Sequence, residues 1–307
     1  MTASPRAFGY LFALALMWGS SYAFIKLMVE TIPPFTGTLL RMMLGLAILV
    51  TVMVAIGGKL PRDRRTWAVL LIIGIAGAAA PFTLIAFATE RIPATSAAIL
   101  MASAPTITMI LAHFATQDDR LSVNKVAGLV IGFLGIAVLF GPAAVSGIGA
   151  SVWGMVAVIG AASMYASTNV LARTLRGVTP TESGVVAFTG AIIVLLPAAF
   201  VFEEPLALLR PETPVSTGSW IAVLYLAIFS SAIANVVFYR LVALAGSSFS
   251  AFNNYLSPPI GVLWGMALLG EQISWNAGLA LLLILAGIAV ANYRSLRAIL
   301  RPARITP

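Results

Sequence analysis

Asn253-Asn254-Tyr255-Leu256-Ser257-Pro258-Pro259 interrupts an otherwise apolar run from about Phe249 to Leu269. A helix in hydrocarbon normally excludes two amides, a phenol and two prolines in such close order. Proline lacks an N–H and crowds the preceding turn, so an X-Pro-Pro step breaks the helical hydrogen-bond ladder. Inside a bilayer the break is tolerated only where protein or a water-filled cavity takes up the freed groups. The same device occurs earlier, as Met101-Ala102-Ser103-Ala104-Pro105 within the apolar run 94–116. Setting Pro105 on Pro258 brings Asp119 almost onto Glu271, after a one-residue gap. Asp-Arg-Leu-Ser-Val-Asn (119–124) then runs beside Glu-Gln-Ile-Ser-Trp-Asn (271–276), and Gly135-Ile-Ala-Val138 falls on Gly287-Ile-Ala-Val290. The chain is two copies of one unit.

The front of each copy matches too, at an offset of 147: Trp18-Gly-Ser-Ser-Tyr-Ala-Phe-Ile-Lys26 lies beside Tyr165-Ala-Ser-Thr-Asn-Val-Leu-Ala-Arg173, and Pro33 beside Pro180. Ten runs have the roughly 20 mostly apolar residues that a membrane span needs: 7–29, 35–56, 67–89, 94–116, 125–143, 151–172, 182–202, 219–239, 249–269 and 275–293. Five spans fall in each copy, with the copies divided as 1–146 and 147–307, the second ending in a basic tail. An odd number forces the second copy into the bilayer upside down. The expected fold is therefore all-α integral membrane, ten transmembrane helices as two five-helix inverted repeats around a central cavity. Inverted repeats with polar, discontinuous helices near the midplane are the pattern of a secondary transporter.

Composition agrees. The chain is 60% apolar and 9% charged, with mean hydropathy +1.02. Soluble domains carry roughly 45–50% apolar and about 25% charged residues. Zero cysteines exclude disulfides, thiolate metal sites and cysteine nucleophiles. The net charge of +8 sits in short loops and the tail, which points to topology rather than nucleic acid. Only Lys26, Arg41, Arg91 and Arg210 of the 18 Lys and Arg fall on the outer side if both termini are cytoplasmic, and the positive-inside rule selects that orientation. Trp67, Trp153, Trp220 and Trp275 mark span ends, as interfacial tryptophans do; Trp18 is mid-span. No Gly-x-x-x-x-Gly-Lys-[Ser/Thr], His-Glu-x-x-His or Gly-x-Ser-x-Gly occurs, so enzymatic function is not expected. Neither is a metal or cofactor.

The Trp-Gly-Ser…Lys of the first span, the proline-centred fourth and ninth spans, the acid after each and the five-plus-five duplication resemble the EamA-type branch of the drug/metabolite transporter superfamily. The likeness covers essentially the whole chain, and the mix of residues looks most similar to YddG-like exporters of aromatic and other neutral amino acids. The resemblance implies a bacterial inner-membrane carrier that exports small amphiphilic metabolites, most readily amino acids, by alternating access. It also implies a cavity walled by spans 1, 3, 4, 6, 8 and 9, with spans 5 and 10 behind. Carriage of a drug, nucleoside or sugar derivative, or a channel-like pore, are the alternatives. The expected partners are the solute and the lipid bilayer, the expected state a monomer.

Candidate solute contacts follow from helical spacing. Trp18, Ser21, Tyr22 and Lys26 share one face of span 1, and their matches Tyr165, Thr168, Asn169 and Arg173 share one of span 6. Rings beside hydroxyls and amides suit a solute with apolar and polar ends; the alternative is hydrogen bonding between helices. Span 9 offers Asn253, Asn254 and Ser257, span 8 Ser231, Asn235 and Tyr239, span 4 Ser96, Ser103 and Thr106, and span 3 Phe82. Lys26 and Arg41 are charged and inside spans, which makes them gate ligands for a carboxylate or snorkelling side chains; Lys26 also has Glu30 at i+4. No acid falls at the centre of any span, which argues against an embedded proton or cation site. Pro81, Pro105, Pro197, Pro258 and Pro259 are candidate hinges, and Gly128 and Gly132 a close-packing GxxxG.

Overall fold

The computed structural model describes residues 5–115, 122–145, 149–172, 174–175 and 177–293, with the side chains of 112, 115, 142–145, 239, 247 and 248 also outside the description. The junction of the copies at 146/147, Asp119, Arg173 and the side chain of Tyr239 therefore lie outside the described residues. No strand occurs among those described. Helices fill the expected positions: α1 Pro5–Val29, α2 Pro34–Ala55, α3 Arg64–Thr89, α4 as Ala94–Met101 and Ala104–Ala115, α5 Val123–Val145, α6 Ala150–Ala172, α7 Pro180–Phe202, α8 from 217 to 250 with a kink at Gly246 (φ +83°), α9 Asn253–Leu269 and α10 Trp275–Ala291.

Their starts are written locally. Pro34 and Pro180 occupy the first turns of α2 and α7, where a missing N–H costs nothing. Thr179 caps α7 and Glu182 closes a capping box on it. Eight of the described helical stretches are long and apolar enough to cross a membrane, and α10 is a shorter apolar helix. At 17 residues, α9 and α10 reach only about 26 Å, short of the roughly 30 Å of hydrocarbon. Two asparagines and two prolines dilute α9 further.

The packing obeys the internal repeat. Among the larger interfaces, α5 lies on α10, α2 on α7 and α4 on α9. The rest come in pairs exchanged when the copies are swapped: α3 with α6 and α8 with α1, α1 with α9 and α6 with α4, α7 with α3 and α2 with α8. Small residues let α5 and α10 meet backbone to backbone. A Cβ on Gly287 would lie 2.6 Å from the Gly128 carbonyl oxygen and 2.8 Å from the Gly132 nitrogen, so the expected GxxxG is a packing seam.

Both proline devices act, but not where the prolines alone place them. In α4 the ladder breaks at Ala102–Ser103 and restarts at Ala104, which seats Pro105 in a first turn. Around α9 the turn lies at Ala251–Phe252, upstream of the quoted stretch, and the helix then runs through Pro258 and Pro259. The prolines remove the usual donors to the carbonyls of Asn254 and Tyr255 without ending the helix. Sequence reading missed a second irregularity. The third helix of each copy carries a π-helical stretch, Ile75–Ala79 in α3 and Leu226–Ile233 in α8. Such wide turns shift the register of the following residues and recur at functional sites.

Candidate functional site

A cavity of about 520 Å³ lies where the two copies meet, within the usual size range of small-molecule sites. Its deep end is lined by Tyr22, Ile25, Arg41 and Ile85. It extends to Leu70, Ala172, Leu175, Ser183 and Ser250, at the face where α3 and α7 begin and α6 and α8 end. That face also carries the start of α1.

The opposite end is closed by close packing and charge. Gly19 on α1 and Gly261 and Gly265 on α9 leave no room for a side chain at their own positions: a Cβ on Gly261 would sit 2.7 Å from that of Ala98 on α4, and one on Gly265 2.6 Å from the Thr95 methyl. Gly270 has φ +65°, and with its N–H on the Met266 carbonyl and the Glu271 N–H on the Gly265 carbonyl it forms a Schellman end to α9. This turn swings Glu271 across the copies, where its carboxylate accepts from the N–H groups of Ala94 (2.7 Å) and Thr95 (2.8 Å). Lys26 Nζ donates to the carbonyls of Thr89 (3.1 Å) and Ile92 (3.0 Å) and stands 4.0 Å from Glu271. It pairs with Glu271 rather than with Glu30, and it does not line the cavity. Glu203, at the end of α7, similarly accepts from the N–H groups of Phe35 (2.9 Å) and Thr36 (2.8 Å). Each carboxylate sits at the positive end of a helix from the other copy.

Arg41 is the only full charge on the described cavity wall. It does not snorkel. Seven residues into α2, about 10 Å along the axis, it is 2% exposed. Its guanidinium carbon lies 3.8 Å from the centre of the Phe82 ring, and Nε donates to Ser231 Oγ at 2.8 Å. Among the described residues no carboxylate pairs with it and its two Nη groups find no acceptor. Arginine at the centre of a membrane helix costs about 2.5–3.5 kcal/mol on insertion scales. The π turn of α8 sets the support: it directs Ser230 to the Met17 carbonyl (2.8 Å) and Ser231 to Arg41.

Trp18, Ser21, Tyr22, Phe82, Tyr165, Asn169, Asn235, Asn253, Asn254 and Ser257 also line the cavity. Trp18 packs against Phe238 with ring centres 5.5 Å apart, and Phe82 lies 6.0 Å from Tyr165. Ser21 is engaged within the protein, donating to the Trp18 carbonyl at 2.8 Å. By contrast, Asn235 Oδ1, Asn253 Oδ1 and Ser257 Oγ are buried without a hydrogen-bond partner, a state that calls for an occupant.

Ser103 is not brought to the wall. Its Oγ turns back to the Leu100 carbonyl at 2.6 Å, which also accepts from the Ser103 N–H at 3.0 Å across the break in α4, and Met101, Ala102, Ala104 and Pro105 line the cavity instead. The wall also includes α2 through Arg41 and α7 through Ser183, Gly184, Ala187 and Phe188, two helices that the resemblance leaves out. Neither α5 nor α10 contributes a described residue. Of the wall residues that sequence reading did not name, Ser183 on α7 and Ser230 on α8 are visible as polar residues in apolar runs; nothing marks Phe188.

Known proteins share this architecture and its duplication. A crystal structure superimposes with a TM-score of 0.67 over 96% of this chain and 99% of its own, at 23% identity, a likeness that bears on fold alone. The relatives include an inner membrane transporter of Escherichia coli K12, YedA, named as uncharacterized, 28% identical over 93% of this chain and 90% of its own. They also include the Bacillus subtilis transporter YvbV, likewise named as uncharacterized, 26% identical over 92% and 90%, and an uncharacterized transporter of Archaeoglobus fulgidus, 24% identical over 89% and 92%. The profile of one family fits the chain twice, at residues 6–141 and 152–293, so that each copy is one unit of it: the chain belongs to the EamA-like transporter family.

Proposed function

We propose that this protein is a secondary carrier of the bacterial inner membrane that exports small amphiphilic metabolites, foremost neutral and aromatic amino acids, by alternating access. The observation that carries this reading is a cavity between two inverted copies, open to one face and sealed at the other. With both termini cytoplasmic, as the distribution of Lys and Arg favours, the open face is the cytoplasmic one and the protein stands ready to load. Trp18, Tyr22, Phe82 and Tyr165 offer apolar contact, while Asn235 on α8 and Asn253, Asn254 and Ser257 beside the prolines of α9 offer polar contact. The inner-membrane relative supports the location, and a monomer suffices because the cavity is complete within one chain. The closed end favours a carrier over a pore.

Flux in proteoliposomes tests this. Labelled phenylalanine, tryptophan, threonine and methionine are taken into vesicles preloaded with the same solute, with and without a pH gradient. Saturable counterflow of at least one is expected, and Trp18→Ala and Asn254→Ala should cut it at least tenfold while leaving insertion intact. Unsaturable conductance, or counterflow confined to nucleosides or sugars, overturns the reading.

A further inference from the structure

We propose that this cavity selects its solute by a carboxylate, gripped by Arg41, and makes no demand for an ammonium group. The inference rests on the transport reading above and names the chemical class that its site takes. Arg41 is 2% exposed, yet it is part of the cavity wall, and its two Nη groups have no acceptor among the described residues. The guanidinium is fixed on both remaining sides, by the Phe82 ring beneath it and by Ser231 Oγ on Nε. A planar fork held in this way presents two parallel N–H donors, the geometry that fits a carboxylate and is lost on a lysine. A buried cation needs a counter-charge, and the described protein supplies none at this place. An anionic solute does.

The converse is equally informative. No Asp or Glu lines the described cavity, so an ammonium would meet only neutral acceptors, among them Asn235 Oδ1, Asn253 Oδ1 and the carbonyl of Asn254, which Pro258 deprives of its usual donor. Those atoms accept a hydroxyl or a secondary amide as readily as an amine. Amphiphilic monocarboxylates are thus the class, with neutral amino acids as members of it. Solutes that carry an amine and no acid are excluded by repulsion from Arg41.

Four probes that share one ring separate the two head groups: phenylalanine, 3-phenylpropanoate, phenylalanine amide and phenethylamine. Binding to the purified protein in detergent is read as a ligand-dependent thermal shift, and transport as inhibition of phenylalanine counterflow. The first two probes should bind within about tenfold of each other, and the last two at least a hundredfold more weakly. Arg41→Gln should abolish binding of both acids, Arg41→Lys should weaken it at least tenfold, and Ser231→Ala, which only loosens the fork, should weaken it less. Should Arg41→Gln not fold, Arg41→Lys and Ser231→Ala carry the test. Amide binding equal to that of the acid, undiminished acid binding in the variants, or no shift with either acid overturns the proposal. Phenylalanine counterflow that survives Arg41→Gln overturns the carboxylate grip and leaves amino-acid carriage standing. Binding of 3-phenylpropanoate without phenylalanine does the reverse.

Discussion

A methyl group on Gly74 would land on the carbonyl of Ala187, whereas one on Gly9 would meet nothing. Both glycines sit in apolar helical runs of similar composition, so no local pattern separates them; the difference lies in whether α7 crosses at that turn. A backbone contact cannot give way as a flexible side chain can, and overpacking of this kind costs about 1–3 kcal/mol. Gly74→Val is therefore expected to lower the midpoint of thermal unfolding of the detergent-solubilised protein by several degrees, with Gly9→Val unchanged. Equal midpoints would mean that α3 and α7 are not in backbone contact. Arg41 makes the same point about legibility. Its depth in α2 was countable, but a helix apolar on every side hides which face looks inward, and its supports, Phe82 and Ser231, lie on other helices. Its choice between snorkelling and facing the cavity is settled by packing alone. Trp18 and Tyr22 were easier, because a mid-span tryptophan and a phenol one turn apart have no interfacial use.

Among elements, helix starts were the most legible. Pro34, Pro180 and the Thr179–Glu182 box announce themselves in sequence, whereas the acids at α2 and α4 arrive from Glu203 and Glu271, more than 160 residues away. The π stretches leave no periodic trace in an all-apolar window, and the break beside α9 falls at Ala251–Phe252, ahead of the prolines that advertise it. The start of α3 lends itself to a test outside the membrane. Asp63 Oδ2 accepts from the Thr66 N–H at 2.8 Å and the Thr66 hydroxyl at 2.9 Å. These bonds, the backbone one first, hold the carboxyl below its usual range. A pKa lowered by folding means that the cap contributes fully above the unfolded value, about 3.9, and is lost as pH falls through the lowered one. In hydrogen exchange, Asp63→Ala should speed opening of the first turn of α3 at pH 6, and the gap from the unaltered protein should narrow steadily below pH about 4. A gap independent of pH would remove Asp63 as the cap.

At the scale of the molecule, the doubling was readable because Pro105 and Pro258 index each other and five spans cannot be repeated without inversion. Sequence could not say which end of the bundle is shut. The seal is a chain of contacts: Lys26 on the carbonyls of Thr89 and Ile92 at and just after the end of α3 and 4.0 Å from Glu271 of the other copy, Glu271 on the first N–H groups of α4, and Gly19, Gly261 and Gly265 beside them. If access alternates, this seam opens when the other end closes, and weakening it tips the balance toward the opposite face. Glu271→Gln keeps the shape but removes the charge from both Lys26 and the helix end, an effect of about 1–2 kcal/mol, or a shift of roughly five- to thirtyfold in the ratio of the two states. The chain has no cysteine, so single reporters are read without background. Ser183→Cys stands at the open mouth; Ala98→Cys is buried in the seam. In the otherwise unaltered protein an impermeant thiol reagent should modify Ser183→Cys from the face carrying Pro5 and leave Ala98→Cys untouched from either side. Adding Glu271→Gln should speed labelling of Ala98→Cys from the far face at least fivefold and slow that of Ser183→Cys. A pore would gain at Ala98→Cys without losing at Ser183→Cys, and a rigid scaffold would change at neither, so the opposed response belongs to a carrier that rocks about its central site.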